Sequence, residues 1–373
     1  MSLMDRIVAG ESRQRPLLRR LREAGKPVLI YGAGVYAYVL NRYLADSGIK
    51  VAAVMVDAAY KSDPTFMGLE VVATEDTLDR IAEYQVVIGT ANYPAAVEKL
   101  IGLGVRHAHV IDVPDFLNIP DSFMTIDFLI KNAEAFERAY HLFADDLSRE
   151  TYVAAINTKI NEDVTYLRPC VRPDHLYFTS TEFPLRDDEI LLDVGGFTGD
   201  SIRDFHEITK GRYRGIISLE PFQESFARLR ATVDSLGLSK VVPLKIGAWD
   251  EKAVLSFATR ELRIDNRIAK DGLEHIEVDT IDAILDSVQS PATMIKLDIN
   301  GAEHRALVGA RETIRRHRPR IAVKMHVKED FFRLPILLKE QAQDMKLYLR
   351  QRNFMSMMLV LYGLFEDGDD RKL

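Results

Sequence analysis

The sequence has few of the residues that build covalent or metal-based scaffolds. Its 373 residues contain one cysteine, Cys170, and one tryptophan. A single thiol cannot form an internal disulfide and cannot build a thiolate metal cluster. No run approaches the ~20 apolar residues that span a bilayer. Residues 1–6 also lack a basic segment followed by an apolar one, so the sequence favours a cytoplasmic protein without a membrane span.

An excess of positive charge is also absent. Lysine and arginine total 49 against 56 aspartates and glutamates, which leaves a net charge of −7. This balance argues against nucleic acid as an obligate partner. Hydrophobic residues make up 47% of the chain and charged residues 28%, which is typical of a globular protein long enough for two domains.

The most informative stretch present is residues 191–200, Leu-Leu-Asp-Val-Gly-Gly-Phe-Thr-Gly-Asp. An apolar run enters it, and an amphipathic helix leaves it. A second apolar run, residues 215–219, ends in Glu220. A strand, a tight turn, a helix, a strand and an acid in this order predict a nucleotide-binding half-fold.

The glycines of this turn, Gly195, Gly196 and Gly199, read G-G-x-x-G rather than G-x-G-x-x-G. A pyrophosphate needs backbone N–H groups crowded at a helix start, whereas a ligand without phosphate needs only close approach. The spacing therefore favours S-adenosylmethionine, with Glu220 accepting hydrogen bonds from both ribose hydroxyls. The alternative is a structural turn followed by a surface glutamate.

The first 113 residues repeat this architecture with a different glycine pattern. A strand at 27–31 leads through Gly32 and Gly34 into a helix, and a strand at 49–56 ends at Asp57. Further strands at 85–89 and 110–112 flank a helix at 95–103. Alternating strands and helices with short connections predict a parallel sheet covered on both faces.

We divide the chain into a Rossmann-like domain at 1–113, a helical connector at 114–175 and a second α/β domain at 176–373. Pro114 and Pro120 break the pattern, and helices follow from 123 to 160. The further strands expected in the second domain are 241–246, 294–299 and 321–326, edge strands at 253–257 and 275–281, and a hairpin of 345–350 with 355–362 across a turn at 352–353. A terminal hairpin after five parallel strands is typical of a doubly wound methyltransferase sheet.

Four segments in the same order resemble the FkbM family of S-adenosylmethionine-dependent methyltransferases, over about residues 120–362. They are residues 192–200, 219–221 (Leu-Glu-Pro), 278–282 (Val-Asp-Thr-Ile-Asp) and 295–303 (Ile-Lys-Leu-Asp-Ile-Asn-Gly-Ala-Glu). The resemblance implies a class I methyltransferase sheet with a C-terminal antiparallel hairpin. It also implies O-methylation of a hydroxyl on a sugar, glycan or secondary metabolite.

Three positions depart from the family pattern. Asn300 stands where the family usually has glutamate, which weakens any role of that carboxylate, including metal binding. Met325 replaces an aromatic residue before His326. Gly196 stands where alanine is common, and we expect this difference to be harmless.

The cofactor is expected beyond the carboxyl ends of the strands. There Asp193 and the glycine backbone would hold the methionine part, Glu220 the ribose, and Ala248 or Trp249 the adenine. Alternatively, Trp249 is a core or rim aromatic that contacts no ligand. The complete set of expected cofactor-binding residues is Asp193, Gly195, Gly196, Gly199, Asp200, Ser201, Glu220, Pro221, Ala248 and Trp249.

Asp298 and His326 are the candidate catalytic residues. A hydroxyl loses a proton as its oxygen attacks, so an O-methyltransferase benefits from a base, and both residues end apolar strands. Alternatively, Asp298 caps the helix that begins at Ala302, and His326 is a core residue whose hydrogen bonds are satisfied within the protein. Oxygens of Asp298 with Asp279 or Glu303 would suit magnesium. No D-x-D pair is adjacent to them, and Asn300 weakens the case, so we predict a metal-independent enzyme.

The first domain resembles, less specifically, the sugar-nucleotide-binding domain that precedes the acyltransferase domain of certain sugar-modifying enzymes. Residues 31–34, Asp57, 68–71 and 88–90 carry this resemblance. The candidate ligand residues are Gly32, Gly34 and Asp57. The distance of Asp57 from the glycines also suits a dinucleotide. Three alternatives stay open: a nucleotide-sugar site, an NAD site, and a docking domain with an empty pocket.

The leading hypothesis is an S-adenosylmethionine-dependent O-methyltransferase whose acceptor is a small molecule or glycan, free or nucleotide-linked. One alternative is an NAD-dependent oxidoreductase, although no Tyr-x-x-x-Lys constellation follows Gly34. Another is a nucleotide-sugar-binding protein without catalysis, in which Asp298→Asn and His326→Ala would change no activity.

Overall fold

The computed structural model describes residues 2–113, 124–179, 182–258, 267–268 and 274–365. These residues form three β-sheets with helices packed against them, an α/β architecture as expected. Pro114 and Pro120 lie outside the described residues. None of the described helices combines the length and apolarity needed to cross a membrane.

The first sheet has six strands in the spatial order β3-β4-β2-β1-β5-β6, all parallel to their neighbours except β3. Its strands are β1 Val28–Tyr31, β2 Val51–Val56, β3 Thr65–Phe66, β4 Leu69–Ala73, β5 Gln85–Ile88 and β6 Ala108–Val110. Its helices are α1 Gln14–Glu23, α2 Val35–Asp46, α3 Thr74–Thr77 and α4 Tyr93–Gly102. Strands β1, β2 and β5 are buried almost throughout, as the interior of a parallel sheet requires.

The strand expected at 110–112 lies two residues earlier, in β6. Residues 111–113 leave the sheet because the Tyr36 hydroxyl binds their backbone: it donates to the Ile111 carbonyl at 2.6 Å and accepts from the Val113 amide at 3.2 Å. Strands β3 and β4 were not predicted. In β4 only two of five residues are buried, so the apolar run that marks the other parallel strands is weak there.

The connector is helical, as expected. Its helices are α5 Ile126–Lys131, α6 Ala133–Leu142 and α7 Asp146–Asn161, followed by a 3₁₀ segment at Val164–Cys170. Asp145 caps α7 by accepting from the Ser148 amide at 2.8 Å. The Arg350 guanidinium also donates to Asp145, at 2.7 Å, and so ties the connector to the C-terminal hairpin.

The second sheet has seven strands in the order β16-β17-β15-β14-β7-β8-β9. Five are parallel, β7 Ile190–Val194, β8 Gly215–Leu219, β9 Val241–Leu244, β14 Met294–Leu297 and β15 Arg320–Lys324; β16 Lys346–Gln351 and β17 Leu359–Leu364 form the expected antiparallel hairpin. The helices are α8 Asp200–Thr209, α9 Gln223–Ser235, α10 Ile281–Val288, α11 Glu303–Val308, α12 Arg311–His317 and α13 Asp330–Gln341.

Two details of this domain differ from the prediction. The expected edge strands do not join the main sheet but form a third sheet in the order β10-β13-β11-β12, with β10 Gly247–Trp249, β11 Ala253–Ala258, β12 Arg267–Ile268 and β13 Glu274–Thr280. The turn expected at 352–353 is a seven-residue loop, 352–358, because Met355 in it is buried in the core of the first domain. We call this segment the hairpin loop.

Candidate functional site

The glycine turn after β7 is closed by hydrogen bonds within the protein. Four of its amides donate internally: Gly195 and Gly196 to the Leu219 carbonyl at 3.0 and 2.9 Å, Phe197 to the Glu220 carboxylate at 2.9 Å, and Gly199 to the Gly196 carbonyl at 2.8 Å. A diphosphate would need such amides free. These four amides are therefore not available to a diphosphate.

Two of these glycines are required by their surroundings. Gly195 has φ +86°, and a Cβ on it would lie 2.2 Å from the Asp298 carbonyl oxygen. A Cβ on Gly196 would lie 2.2 Å from the Ser218 hydroxyl and 2.5 Å from Leu229. An alanine at this position would move the ends of both side chains, whereas the glycine found here leaves them in place. That the difference from the family pattern is harmless stays a prediction.

Glu220 follows β8 and is buried, so it is not a surface glutamate. One carboxylate oxygen accepts from the Phe222 amide at 3.0 Å and the other from the Phe197 amide at 2.9 Å. Burial raises the pKa of Glu220 to about 7, and the two amides offset this effect only in part. Each oxygen keeps a further lone pair, so the ionised form can accept two more hydrogen bonds.

Asp193 lies behind the turn. Its side chain is completely buried, 3.0 Å from the Lys296 ammonium and 2.9 Å from the Ser218 hydroxyl, which donates to it. Lys296 also donates to the Gly195 carbonyl at 2.7 Å. Burial would lower the pKa of Lys296, but Asp193 and Asp298 raise it above its ordinary value. The buried ion pair thus stabilises the turn. The Asp193 carboxylate itself is not exposed to a ligand.

The remaining expected cofactor residues surround the turn. Asp200 is exposed at the start of α8, and Ser201 beside it is buried. Pro221 follows Glu220 and is partly exposed. Asp200 and Pro221 are therefore accessible from this edge of the sheet, whereas the Ser201 side chain is not.

The two candidate adenine contacts differ in exposure. The Ala248 side chain belongs to the hydrophobic core, so only its backbone is available to a ligand. Trp249 is partly exposed, and the Arg305 guanidinium lies 5.4 Å from its ring centroid. Asp250 holds that guanidinium at 2.5 Å. Trp249 is thus a rim aromatic with one contact already made by a cation.

Asp298 follows β14 and is the centre of a polar cluster. Its Oδ1 lies 2.7 Å from His326 Nε2, and its Oδ2 accepts from the Tyr177 hydroxyl at 2.5 Å and from the Lys324 ammonium at 3.4 Å. Although burial opposes ionisation, Lys324, His326 and Lys296 hold the pKa of Asp298 well below its usual range. Asp298 is therefore an anion at neutral pH, and a weak base.

Glu303 determines how α11 begins. Its two carboxylate oxygens accept from the Ile299 and Gly301 amides, each at 2.8 Å, and the N-cap residue, Ala302, makes no side-chain bond. The alternative in which Asp298 caps this helix is therefore wrong.

A divalent cation could be considered at this cluster, because ligand atoms of Asp298, Glu303 and His326 lie within 4.8 Å of one another. Both oxygens of the buried Glu303 are already bound by backbone amides. The Lys324 ammonium lies 3.4 Å from the other oxygen of Asp298, Oδ2. These contacts satisfy the carboxylates, and metal independence stays a prediction.

A second buried carboxylate holds the backbone of His326. Asp330 at the start of α13 accepts from the amides of His326 and Val327 at 2.8 and 2.9 Å. Burial, together with the charge of Glu303, raises the pKa of Asp330 to about 7. His326 is thereby fixed at both its main chain and its ring.

The carboxyl edge of the first sheet is arranged differently. The Asp57 carboxylate, 12% exposed, lies 2.6 Å from the Lys99 ammonium and accepts from the Tyr31 hydroxyl at 2.9 Å. Burial and Asp57 together raise the pKa of Tyr31. The expected ribose-binding acid of this domain is therefore engaged by two side chains of the protein itself.

The hairpin loop covers the β5–β6 side of the same edge. Phe354 packs edge-on against Tyr93 at a centroid distance of 5.7 Å, and Met355 is 1% exposed within the first domain's core. The Ser356 amide donates to the buried Asp112, which follows β6, at 3.3 Å. The second half of a dinucleotide would need this space.

Sequence reasoning assigned no role to three residues of the polar cluster. Lys296 and Lys324 stand in apolar strands, and a lysine in a buried strand is a signal for an acidic partner. The pairing of Lys296 with Asp193 follows from the parallel register of β14 and β7, which the sequence does not show. Tyr177 and Phe178 before the first strand of the second domain resemble the FkbM family, but the contact of Tyr177 with Asp298, 121 positions away, could not be read from the sequence.

The comparisons with known proteins concern the type of domain and the fold. Residues 193–355 match the Methyltransferase FkbM domain. The chain is similar to an FkbM methyltransferase from Methylobacillus flagellatus KT, with 20% identity and a TM-score of 0.64 over 95% of this chain and 94% of that chain. Fibrillarin from Aeropyrum pernix with bound S-adenosyl-L-methionine covers 49% of this chain and 70% of its own, at 11% identity and a TM-score of 0.34. No curated protein sequence matches the chain.

Proposed function

From an FkbM methyltransferase domain over residues 193–355, carried on a class I methyltransferase fold, we propose that the protein transfers a methyl group from S-adenosylmethionine to a hydroxyl. The observation that supports this most is the pairing of an amide-closed glycine turn with Glu220. The turn offers close approach without a phosphate site, and Glu220 offers two carboxylate oxygens beside it. A cationic nucleoside without phosphate fits both.

Glu220 would accept the two ribose hydroxyls, and the backbone of Gly195 and Gly196 would lie against the methionine part. Asp193 contributes through Lys296, which holds the turn in place. Adenine would lie between the Ala248 backbone and the rim at Trp249. Asp200 and Pro221 lie on the accessible side of the same edge.

S-adenosylmethionine supplies a methyl group on a sulfonium, so the sulfur–carbon bond breaks with its electron pair on sulfur as the hydroxyl oxygen bonds to that carbon. Because the hydroxyl must lose its proton, a base is needed. Asp298 is ionised and can only accept, so His326 Nε2 is the donor in their contact. The lone pair of His326 is then on Nδ1, and His326 takes the proton while Asp298 orients the ring and stabilises its charge.

The acceptor class is the finer part of the proposal. A hydroxyl of a sugar, glycan or secondary metabolite is supported by the resemblance to the FkbM family. The first domain resembles sugar-nucleotide-binding domains in its sequence alone. Within that domain the geometry favours the docking alternative. Asp57 is engaged by Lys99 and Tyr31, and the hairpin loop covers the β5–β6 side of the edge. The same contacts weigh against an NAD-dependent oxidoreductase.

Calorimetry with S-adenosylhomocysteine tests the cofactor. We expect a dissociation constant in the micromolar range or below, about 8 kcal/mol of binding free energy. Glu220→Ala should weaken binding about 100-fold, because two charge-assisted hydrogen bonds are lost. Glu224→Ala is the matched control, since Glu224 is an exposed residue of α9 that binds Arg228, and should leave the affinity unchanged.

The absence of both heat and a thermal shift with the wild-type protein would remove the methyltransferase proposal. Equal affinity in the Glu220→Ala and Glu224→Ala variants would instead remove the assigned role of Glu220.

A further inference from the structure

Tyr177 reaches the proposed catalytic pair from outside the matched FkbM domain. Its hydroxyl donates to Asp298 Oδ2 at 2.5 Å, and its ring is buried, 5.3 Å from the Lys296 ammonium. We infer that Tyr177 is a positioning residue: its hydroxyl holds the Asp298 carboxylate so that the other oxygen, Oδ1, faces His326. This inference rests on the proposed function and adds a residue to its site.

The backbone around Tyr177 is held from two sides. His175 Nδ1 accepts from the Tyr177 amide at 3.4 Å, and His175 Nε2 contacts Asp204 of α8 at 2.9 Å. The Leu176 carbonyl accepts from the Tyr362 hydroxyl of β17 at 2.5 Å. The phenol is therefore delivered to Asp298 by a segment anchored to both a helix and a strand of the second domain.

The Tyr177 hydroxyl also determines which oxygen of Asp298 faces the imidazole. Asp298 Oδ2 is engaged by Tyr177 and Lys324, which leaves Oδ1 for the imidazole. A carboxylate held at one oxygen by two donors cannot rotate freely about its last bond. The direction of the His326 hydrogen bond, and with it the direction of the opposite ring nitrogen, is thereby set.

The same contact also decides which ring nitrogen of His326 carries the hydrogen. Two other acids lie near His326: Glu303 Oε1 is 3.5 Å from Nε2, and Asp330 accepts from the backbone amide. With Asp298 Oδ1 held against Nε2, the neutral ring keeps its hydrogen on Nε2 and its lone pair on Nδ1. Without the Tyr177 hydroxyl, the carboxylate can turn away from Nε2, and the other tautomer becomes accessible.

The test is the ¹⁵N spectrum of the histidine rings by NMR in Tyr177→Phe, because the ¹⁵N signals show which ring nitrogen carries the hydrogen. The chain has nine histidines, and His326→Gln identifies the signals of His326. We expect wild-type His326 to carry the hydrogen on Nε2 and Tyr177→Phe to lose this single-tautomer pattern, because Asp298 Oδ1 is no longer held against Nε2. Tyr213→Phe is the control, since Tyr213 is also buried and its hydroxyl contacts His206 at 3.2 Å instead; it should leave the His326 signal unchanged.

An unchanged tautomer of His326 in Tyr177→Phe would overturn the inference. Asp298→Ala is a second variant, and it should also lose the single-tautomer pattern, because it removes the carboxylate through which Tyr177 acts. No change in Asp298→Ala would also overturn it. Binding of S-adenosylhomocysteine is measured separately, so failure of the cofactor proposal is distinguished from failure of the Tyr177 assignment.

Discussion

The two domains present the same sequence motif, a glycine turn followed by a strand and an acid, yet the two acids have different partners. Asp57 binds the side chains of Lys99 and Tyr31. Within the described part of the chain, Glu220 accepts hydrogen bonds from two backbone amides, those of Phe197 and Phe222. An acid that is neutralised by a cation contributes to the stability of the fold. A buried acid held by amides can still accept further hydrogen bonds, although its burial costs free energy. The partners of the acid, rather than its place in the motif, distinguish a binding site.

The two edges also differ in what covers them. The hairpin loop belongs to the second domain but buries Met355 in the core of the first. It connects directly to β16, whose Arg350 binds Asp145 of the connector and Glu182. Part of the edge at which a Rossmann-like domain binds a dinucleotide is therefore used here as an interface between domains. A glycine turn in a Rossmann-like sheet does not by itself imply a nucleotide.

The largest expected difference between the two domains is the stability cost of replacing a glycine in each turn. Gly195→Ala places a Cβ at positive φ and 2.2 Å from a backbone carbonyl, so we expect a loss of about 3 kcal/mol in the free energy of unfolding. Gly34→Ala in the first turn meets no atom within 4 Å, at φ −112°, and should change stability by less than about 1 kcal/mol. Urea unfolding of both variants measures this difference. Equal costs would mean that the two turns are under the same constraint.

The pH dependence of cofactor binding should show the next largest effect. Because the pKa of Glu220 is about 7, about one tenth of the carboxyl is ionised at pH 6 and about nine tenths at pH 8. Only the ionised form offers both oxygens as acceptors. The affinity for S-adenosylhomocysteine should therefore rise about ninefold from pH 6 to pH 8. Calorimetry on wild type and Glu220→Gln checks this, and a wild-type profile as flat as that of the variant would contradict it.

The effect of the same carboxyl on stability has the opposite sign. Its pKa in the folded protein is above the value of 4.5 for an unperturbed glutamate, so its stabilising contribution is complete below pH 4.5 and is lost as the pH rises through 7. The affinity for S-adenosylhomocysteine therefore rises over the same pH range in which this contribution to the free energy of unfolding is lost. Such behaviour is consistent with a residue that binds a ligand rather than one that stabilises the fold.

The smallest expected effect concerns the first edge. Asp57→Asn removes an ion pair whose lysine is 45% exposed, so the free energy of unfolding should fall by only about 0.5–1 kcal/mol. The dissociation constant for S-adenosylhomocysteine should stay within about twofold of the wild-type value. Urea unfolding and calorimetry give the two numbers. A large loss of affinity would show instead that the carboxyl edges of the two sheets are coupled.

The strands and the acid at the end of β8 could be predicted because each depends on local pattern. Runs such as Val51–Val56 and Ile190–Val194 are apolar throughout, as strands covered on both faces must be. The hairpin at the C-terminus and the seven-stranded sheet followed from the order of such runs. Strand β4 was missed because its burial alternates, and the turn at 352–353 was placed too tightly because Met355 is buried by a domain far away in the sequence.

The sequence by itself determined the fold class and the candidate pair Asp298 and His326, because strand patterns and residue types at strand ends are local properties. Only the tertiary structure decided how these residues can act. The contacts that make Asp298 an anion come chiefly from Lys324 and His326, which are 26 and 28 positions away in the sequence. Tertiary packing likewise placed a lysine on Asp57 and two amides on Glu220. Electrostatics act over distances in space, and the folded chain sets those distances.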